Sequence, residues 1–357
     1  MDPAMAGTAG CERGVRISVT SDAPSGWDAF VADHPSGTAY HRAAAVAIGR
    51  RAFGLETFYL SATDAGGNLV GVLPLVEQSS FLFGRFLSSV PFFTYGGVLA
   101  RDSEAATALA AHAGALARER RARHVELRHD APVGGMGYAE RLDKISMVLP
   151  LPPDEAALAK QLGSKLRSQI KRAERENPSI HWGGKELLAE FYHVFSRSMH
   201  ELGTPVYPRR FFDVTLDALG GDAEVLVVRM RDKAEAAAII LRHGDRIEVP
   251  WAACSPEGKR GALNMRMYWE MLRRSLERGA RAFDFGRSSV DSGTHKFKAQ
   301  WGAKPVQLHW YYWLPEGAAV PRLNQSNPKY QLASKVWRRM PLWSANLLGP
   351  WLVRNLP

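Results

Sequence analysis

The chain is short of the features that mark secreted, metal-binding or membrane-spanning proteins. Its 357 residues include only two cysteines, Cys11 and Cys254, which lie far apart. That number excludes a disulfide framework and a cysteine-based zinc site, and it fits a reducing compartment. The N-terminal segment has no apolar core of a signal peptide, and no run of about 18 apolar residues is present to span a bilayer as a helix. These absences predict a cytoplasmic protein.

Acidic residues are missing from the last part of the chain. The segment Ala318–Pro357 has no aspartate or glutamate, and its bases are Arg322, Lys329, Lys335, Arg338, Arg339 and Arg354. A second basic run, Lys160–Arg175, has Glu174 as its single acid. With a net charge of +10, such clusters indicate an anionic partner, namely nucleic-acid phosphates, a nucleotide or lipid headgroups. A solvated helix face is the alternative for each cluster.

The length favours two domains, because 357 residues exceed what one ordinary core holds. A proline-rich joint at Leu149–Pro153 separates a first domain, 1–150, from a second, 151–316, and a basic tail follows at 317–357. The apolar patterns predict the order β-β-α-β in the first half and a longer version of it in the second. This similarity favours a duplicated α/β (α+β) fold, with mixed central sheets flanked by helices.

Two predicted elements of the second domain bear on its site. The spacing of apolar residues predicts one amphipathic helix from Asp154 to about Glu176, ended by Pro178. The alternation of apolar residues predicts a single last strand over Val306–Trp313.

The tail reads as an amphipathic segment. Its first helix ends at Pro341, and the apolar, Trp-rich stretch Leu342–Val353 is expected to break at Gly349-Pro350. That stretch is too short to span a bilayer but suits an interface beside anionic lipid. We therefore predict contact of Lys329–Leu356 with the inner-leaflet membrane surface. The alternative is that the tail packs back on the domains.

The stretch Phe283–Gly302 carries the main candidate site. It begins as an apolar strand, breaks at Gly286 and continues as a polar loop before Phe297 and Trp301. Catalytic groups often lie on such loops, because the scaffold holds them in place. Asp284-Phe285-Gly286 matches the magnesium-binding tripeptide of protein kinases, but the other kinase motifs are absent. No GxSxG, Walker or HExxH motif occurs, and the histidines are scattered, so no metal site is expected.

A second candidate lies in Ser255–Trp269, which follows a strand and opens a helix. Here Gly258, Lys259, Arg260 and Gly261 offer backbone N–H groups and bases at a helix start, where a phosphate is favoured. We predict that these four residues bind donor phosphates.

The order of strand, basic glycine turn, helix and strand resembles the central unit of GNAT-type acyltransferases. Phe283–Gly286 followed by His295–Pro305 resembles the Asp-Phe-Gly and Phe-Lys-x-x-(aromatic)-Gly signature of FemAB-like transferases, and Lys165–Asn177 resembles the helix that opens their second domain. The segments 88–97 and 198–212 and the tail resemble a FemAB-like subgroup linked to exopolysaccharide and exosortase (PEP-CTERM) loci.

The resemblance implies tandem GNAT-like domains that move an aminoacyl group from a charged tRNA, or an acyl group from a thioester, to an amine. It places the active-site lysine at Lys298. Asp284 and His295 are candidates to accept the amine proton, or else only support the loop. No tightly bound cofactor is implied, since the donor (acyl-CoA, acyl carrier protein or aminoacyl-tRNA) is a co-substrate. Nucleic acid is a partner only if that donor is a charged tRNA.

The remaining candidates are assigned to substrate binding, with Arg287 expected to orient an anionic part of a substrate. They are Arg287, Ser288, Lys296, Trp301, Tyr95, Arg128, Lys165, Arg172, Tyr207 and Trp251.

We therefore expect an N-acyl- or aminoacyltransferase that acts on an amine of a cell-envelope lipid or polysaccharide precursor. Attack of the amine on the donor carbonyl would be aided by positioning and by a fixed cation, Lys298, at the developing oxyanion. One alternative is a non-catalytic accessory protein of an exopolysaccharide or export system. Others are N-acylation of a sphingoid-type lipid amine by acyl-CoA, and a nucleic-acid-binding module.

Overall fold

The computed structural model describes residues 14–80, 84–321 and 328–354, so Cys11 lies outside the described residues. Within those ranges the chain forms two mixed β-sheets flanked by helices. This arrangement confirms the predicted fold class.

The elements of the first part are β1 (Arg16–Thr20), α1 (Trp27–Asp33), α2 (Ala43–Phe53), β2 (Glu56–Thr63), β3 (Leu69–Ser80), β4 (Gly84–Ser88), β5 (Leu99–Ala100), α3 (Ser103–Glu119), β6 (Val125–His129), β7 (Ala139–Arg141) and β8 (Ile145–Pro150). Those of the second part are α4 (Glu155–Gln161), α5 (Ser164–Glu174), β9 (Ser179–Gly183), α6 (Leu188–Glu201), α7 (Arg209–Leu219), β10 (Ala223–Met230), β11 (Lys233–His243), β12 (Arg246–Cys254), α8 (Pro256–Arg260), α9 (Leu263–Glu277), β13 (Ala282–Ser288), α10 (Gly293–Ala299), β14 (Lys304–Gln307) and β15 (His309–Trp313). The tail forms α11 (Pro328–Arg339) and α12 (Leu342–Arg354).

The two sheets repeat one topology. The first has the order β1-β2-β3-β4-β6-β15-β7, and the second has β14-β8-β13-β12-β11-β10-β9. In each, four antiparallel strands end in one parallel pair, β4 with β6 or β12 with β13. The expectation of a duplicated order therefore holds at the level of strand pairing.

Two strands cross between the sheets. The strand β8, which precedes the proline-rich joint, pairs with β13 and β14 of the second sheet. The strand β15, near the end of the second half, pairs with β6 and β7 of the first. The crossings lie side by side, because the amide of Leu308 donates to the carbonyl of Lys144 at 3.1 Å. Each half thus completes the sheet of the other.

Two predicted elements are corrected by these pairings. The expected strand Val306–Trp313 is two strands, β14 and β15, which part at Leu308 and belong to different sheets. The expected helix from Asp154 to Glu176 is two helices, because Leu162 and Gly163 are extended. The apolar residues keep their helical spacing across Leu162 and Gly163. The spacing therefore gave no sign that the helix is interrupted there.

A buried ion pair lies where the two halves meet. The Asp284 side chain is fully buried, and its carboxylate accepts hydrogen bonds from Tyr95 (2.5 Å), Ser146 (2.6 Å) and Arg246 (2.5 Å). It also accepts from the backbone amide of Gly286 at 2.8 Å. Burial disfavours the charged form of Arg246. The neighbouring Tyr95 and Asp284 nevertheless raise the pKa of Arg246 above its ordinary value. One carboxylate thus accepts hydrogen bonds from Ser146 of β8, Arg246 of β12, Gly286 of β13 and Tyr95, which precedes β5.

The tail packs back on α6 with one face. The buried stripe of α12 is Ala345, Gly349 and Val353, and a Cβ at Gly349 would lie 3.0 Å from the backbone nitrogen of Val206. The expected break at Gly349-Pro350 is wrong, because α12 runs through Pro350 to Arg354. No helix of the described residues is long and apolar enough to cross a membrane.

We predict that Asp284→Asn lowers the free energy of unfolding by about 2–3 kcal/mol, because it removes the charge of a fully buried carboxylate that four donors share and leaves Arg246 with Asp130, at 3.0 Å, as its ionic partner. Urea denaturation monitored by circular dichroism measures the change. The matched control is Asp245→Asn, which removes an exposed pair with Arg281 at 3.8 Å and is expected to cost less than about 1 kcal/mol. Equal effects of the two substitutions would contradict a special role for the buried pair.

Candidate active site

A cavity of about 770 Å³ opens between the two sheets. The first sheet contributes residues of β6, β7 and β15 to its wall, and the second contributes β12 and β13. Helices α6 and α12 complete the wall through Phe195, Met199 and Val353. The cavity therefore draws on both halves of the chain and on the tail.

The cavity reaches into the gap between two parting strands. The strands β12 and β13 pair in parallel only from Arg246↔Ala282 to Glu248↔Asp284. Beyond that point β13 has an irregular register with β8, and Gly286 has φ +75, a conformation that L side chains rarely adopt. The residues just past the split, from Val249 on one strand and Phe285 on the other, line the cavity.

Lys298 extends into this gap from α10, whose first turn is capped by the side chain of Ser292. Its ammonium nitrogen Nζ donates to the carbonyls of Gly286 at 2.8 Å and Arg287 at 2.9 Å. Burial lowers the pKa of Lys298 to about 8, while Asp284 and Glu248 oppose the shift. The side chain is thus a held cation around neutral pH.

One donor of this ammonium remains available to the cavity. A lysine ammonium has three N–H groups, and the two carbonyls of β13 take two of them. The third has no hydrogen-bond acceptor among the described residues, and Lys298 lines the cavity. A carbonyl oxygen placed there would receive a charge-assisted hydrogen bond.

Three guanidinium groups surround the ring of Trp310 in the cavity wall. The central carbon of Arg128 lies 4.6 Å from the ring centroid, that of Arg287 5.1 Å and that of Arg141 5.6 Å. We call Arg128, Arg141, Arg287 and Trp310 the arginine–tryptophan cluster. It makes this side of the cavity cationic.

Two carboxylates partly balance the cluster. Glu126 is 6% exposed and accepts from Arg128 at 2.6 Å and from the Tyr312 hydroxyl at 2.6 Å. Burial opposes its ionisation, but Arg128 and Tyr312 hold the pKa of Glu126 below its usual range. Asp143 accepts from Arg141 at 2.5 Å.

The structure brings together five of the residues that the sequence predicted. Those that line the cavity are Lys298, Arg287, Arg128, Tyr207 and Trp251. They come from β6, β12, β13, α10 and the loop before α7.

The other predicted catalytic residues lie outside the cavity wall. Asp284 is occupied by the four donors of the buried ion pair, which fits its alternative role of supporting the loop. The ring nitrogen Nδ1 of His295 accepts from the backbone amide of Asp291 at 3.0 Å. Neither residue is among those that line the central cavity.

The remaining predicted binding residues are also separate from the cavity. Tyr95 bonds to Asp284, and Trp301 is buried in the core of the second half. Ser288 is buried in β13, whereas Lys296 is exposed on α10. Lys165 and Arg172 are exposed on α5, where Arg172 donates to the carbonyl of Arg260 at 2.8 Å.

The predicted phosphate turn is a helix whose amides are already used. The amide of Gly258 donates to Ser255 Oγ at 2.9 Å, that of Lys259 to the Ser255 carbonyl, and that of Gly261 to the Glu257 carbonyl. Three of the four amides are therefore already hydrogen-bonded, while phosphate binding at these four residues stays a prediction. Only the exposed side chains of Lys259 and Arg260 remain to meet a phosphate.

Several lining residues were missed from the sequence. Trp310 and Tyr312 lie on an aromatic strand that was assigned to the second domain, so its pairing with the first sheet was not expected. Arg141 and Glu126 follow from that pairing, because β6 and β7 flank β15. The run His309–Trp313 is the one sequence signal that marked this wall.

Comparison with known proteins agrees with this geometry. Residues 162–299 match the family model described as Acetyltransferase (GNAT) domain, which contains α5 to α10 and therefore Lys298. The protein has the fold of tandem GNAT acyltransferases, and the match supports the predicted acyltransferase class. No curated protein matches the chain by sequence.

Solved structures share the fold over most of the chain. FemX is similar with a TM-score of 0.67 at 16% identity, over 89% of this chain and 100% of that one. L-PGS from Bacillus licheniformis has a TM-score of 0.55 at 14% identity, over 90% and 98% of the two chains. A tandem GNAT protein from the clavulanic acid biosynthesis pathway has a TM-score of 0.54 at 13% identity, over 86% and 100%.

We predict that Lys298 loses its proton with a midpoint near pH 8, because desolvation disfavours the ammonium form. NMR of lysine labelled with ¹³C at Cε measures this titration, and the signal of Lys298 is the one that disappears in Lys298→Arg. A midpoint at 10 or above, close to an ordinary lysine, would contradict the assignment.

Proposed function

We propose that the protein transfers an acyl or aminoacyl group from an activated ester or thioester to an amine in the cavity between its two sheets. The observation that carries this proposal is the third N–H of the Lys298 ammonium, which has no acceptor among the described residues around the cavity. A held cation of this kind favours a reaction in which negative charge develops on a carbonyl oxygen.

The reaction follows from that placement. The donor carbonyl lies in the gap between β12 and β13, with its oxygen at Lys298. The acceptor amine attacks the carbonyl carbon, the oxyanion forms against the ammonium, and its collapse expels the donor thiolate or alkoxide. The amine loses one proton and the leaving group takes one up. The strands position both substrates, so no covalent enzyme intermediate is needed.

The acceptor is proposed to be an amine of a cell-envelope precursor, either a lipid or a polysaccharide. The tail supports a location at the membrane surface. On α12, Trp343 is 72% exposed and Leu347 is 70% exposed, on the face opposite the packed stripe. Lys335, Arg338 and Arg339 on α11 and Arg354 at the end of α12 are also exposed, and each basic residue near an anionic membrane contributes on the order of 1 kcal/mol.

The donor is proposed to be a co-substrate, namely acyl-CoA, acyl carrier protein or aminoacyl-tRNA. The backbone amides of Gly258 and Gly261 are already hydrogen-bonded within the protein, so they are not free to bind a pyrophosphate of the donor. The exposed bases Lys259, Arg260 and Arg172 offer an alternative surface for a phosphate-bearing donor. Testing the three donor classes in parallel identifies which one serves.

We predict that Lys298→Met lowers the transfer rate on the order of 10²- to 10³-fold, because it removes an oxyanion donor while keeping the apolar stem. The assay offers the three donor classes with an envelope-lipid extract and detects the acylated amine by mass spectrometry. Lys304→Met is the matched control, since Lys304 is exposed at the start of β14 and does not line the cavity.

Near-normal transfer by a folded Lys298→Met variant would contradict the role of Lys298. If the wild-type protein transferred no group from any of the three donors, the proposed activity would fail. The non-catalytic accessory role would then be favoured.

We predict that the double substitution Trp343→Ser with Leu347→Ser reduces binding to anionic vesicles roughly tenfold or more, because it removes the exposed apolar face of α12. Flotation with phosphatidylcholine vesicles that contain about one third phosphatidylglycerol measures binding. Leu142→Ser, at a 50% exposed position of the first half, is the control. Equal flotation of the wild-type protein, the double variant and Leu142→Ser would contradict membrane binding through α12.

A further inference from the structure

The arginine–tryptophan cluster holds one cation that lacks a counter-charge. The guanidinium of Arg128 is bound by Glu126 and by the carbonyl of Phe93 at 2.7 Å. That of Arg141 is bound by Asp143. Among the described residues, the Arg287 guanidinium has neither an ion pair nor a hydrogen-bond acceptor. It lies over the face of the Trp310 ring in a cation–π contact.

The Arg287 side chain is exposed to solvent, whereas that of the neighbouring Arg128 is buried. An unpaired cation beside a like charge is unfavourable, and an anion between the two would relieve it. The indole N–H of Trp310, a residue only 6% exposed, also has no acceptor among the described residues. Since that nitrogen has no accessible surface, Arg287 is the unused donor of this wall that a ligand in the cavity can reach.

The geometry of guanidinium groups points to the chemistry of the missing partner. Arginine presents a planar fork of N–H groups that matches the oxygens of a phosphate, and stacking on an aromatic ring keeps the fork in place. Because Glu126 and Asp143 balance Arg128 and Arg141, the charge left for a ligand is that of Arg287, and a pair of phosphate oxygens on its fork of N–H groups would balance it. The cluster is thus suited to a phosphate monoester or diester.

The position of the cluster indicates which substrate carries the phosphate. Trp310, Arg128 and Arg141 belong to the first sheet, and Arg287 lies on β13, at the edge of the gap between β12 and β13 that is proposed to hold the donor carbonyl. Lys298 is close, because its Nζ bonds to the backbone carbonyl of Arg287 itself. A phosphate at Arg287 would therefore lie near the reacting amine.

We propose that Arg287, with Arg128 and Trp310, binds a phosphate group of the acceptor, placed a few bonds from the amine that is acylated. The assignment to the acceptor rests on the proposed transferase function. Binding of the phosphate itself does not depend on turnover. The acceptor class is thus a phosphorylated amine, whether a lipid headgroup or a free phosphoamine.

Calorimetric titration tests this proposal without turnover. The probes are phosphoethanolamine, ethanolamine and coenzyme A, titrated into the wild-type protein, Arg287→Met and Arg281→Met. Arg281 is the matched control, because it lies just before β13 and its side chain is 87% exposed. We expect phosphoethanolamine to bind more tightly than ethanolamine, and Arg287→Met to weaken it roughly ten- to a hundredfold. Arg281→Met should leave it unchanged.

Vesicle flotation separates the two sources of the phosphate. Stronger binding to vesicles with phosphatidylethanolamine than to pure phosphatidylcholine, lost in Arg287→Met, would identify a lipid headgroup. Equal flotation together with tight phosphoethanolamine binding would identify a free phosphoamine. The proposal is overturned if phosphoethanolamine binds no better than ethanolamine, or if Arg287→Met weakens coenzyme A alone. Failure of the transfer assay with intact phosphoethanolamine binding would instead refute the transferase function.

Discussion

The buried carboxylate of Asp284 is the constraint on which the site depends. It lies at the last paired position of β12 and β13, and it binds Arg246 on one of these strands while accepting from Gly286 on the other. Because the same oxygens accept from Tyr95 and Ser146, the first half and the crossing strand β8 are tied to the point where the strands part. The carbonyl of Gly286 then faces Lys298. The position of the ammonium is thus set by a carboxylate that does not itself line the cavity.

The crossing of β8 and β15 explains why neither half forms the site alone. The second half provides the split strands and Lys298, whereas the arginine–tryptophan cluster consists of side chains from β6, β7, β13 and β15. Since β15 enters the first sheet from the end of the second half, the cluster forms only when both sheets are complete. A tandem fold with exchanged strands therefore links assembly of the cavity to folding of the whole chain.

The sequence was informative where local patterns decide the structure. The mixed α/β class and the repeated order of strands and helices follow from apolar periods, and the Phe-Lys motif led to Lys298. It was uninformative where long-range pairing decides. A residue such as Leu308, at which one apparent strand passes between two sheets, has no local signature, so Trp310 and Arg141 were missed. The acid–base role suggested for Asp284 depended equally on unseen partners, since four donors from distant segments surround it.

The last helix of the tail, α12, has one face on the protein surface and another that reaches the cavity wall. On α12 the residues Ala345, Gly349 and Val353 recur every fourth position on the packed face, and Trp343 and Leu347 lie on the opposite one. Val353 is part of the cavity wall, as are Thr204 and Pro205 next to the Val206 backbone that Gly349 contacts. A helix only about 10 Å across thus separates the cavity from the exposed apolar face. If that face lies in a membrane interface, an amphipathic acceptor reaches the cavity by moving around one helix, with its apolar part still in lipid and its charged part at the cationic wall.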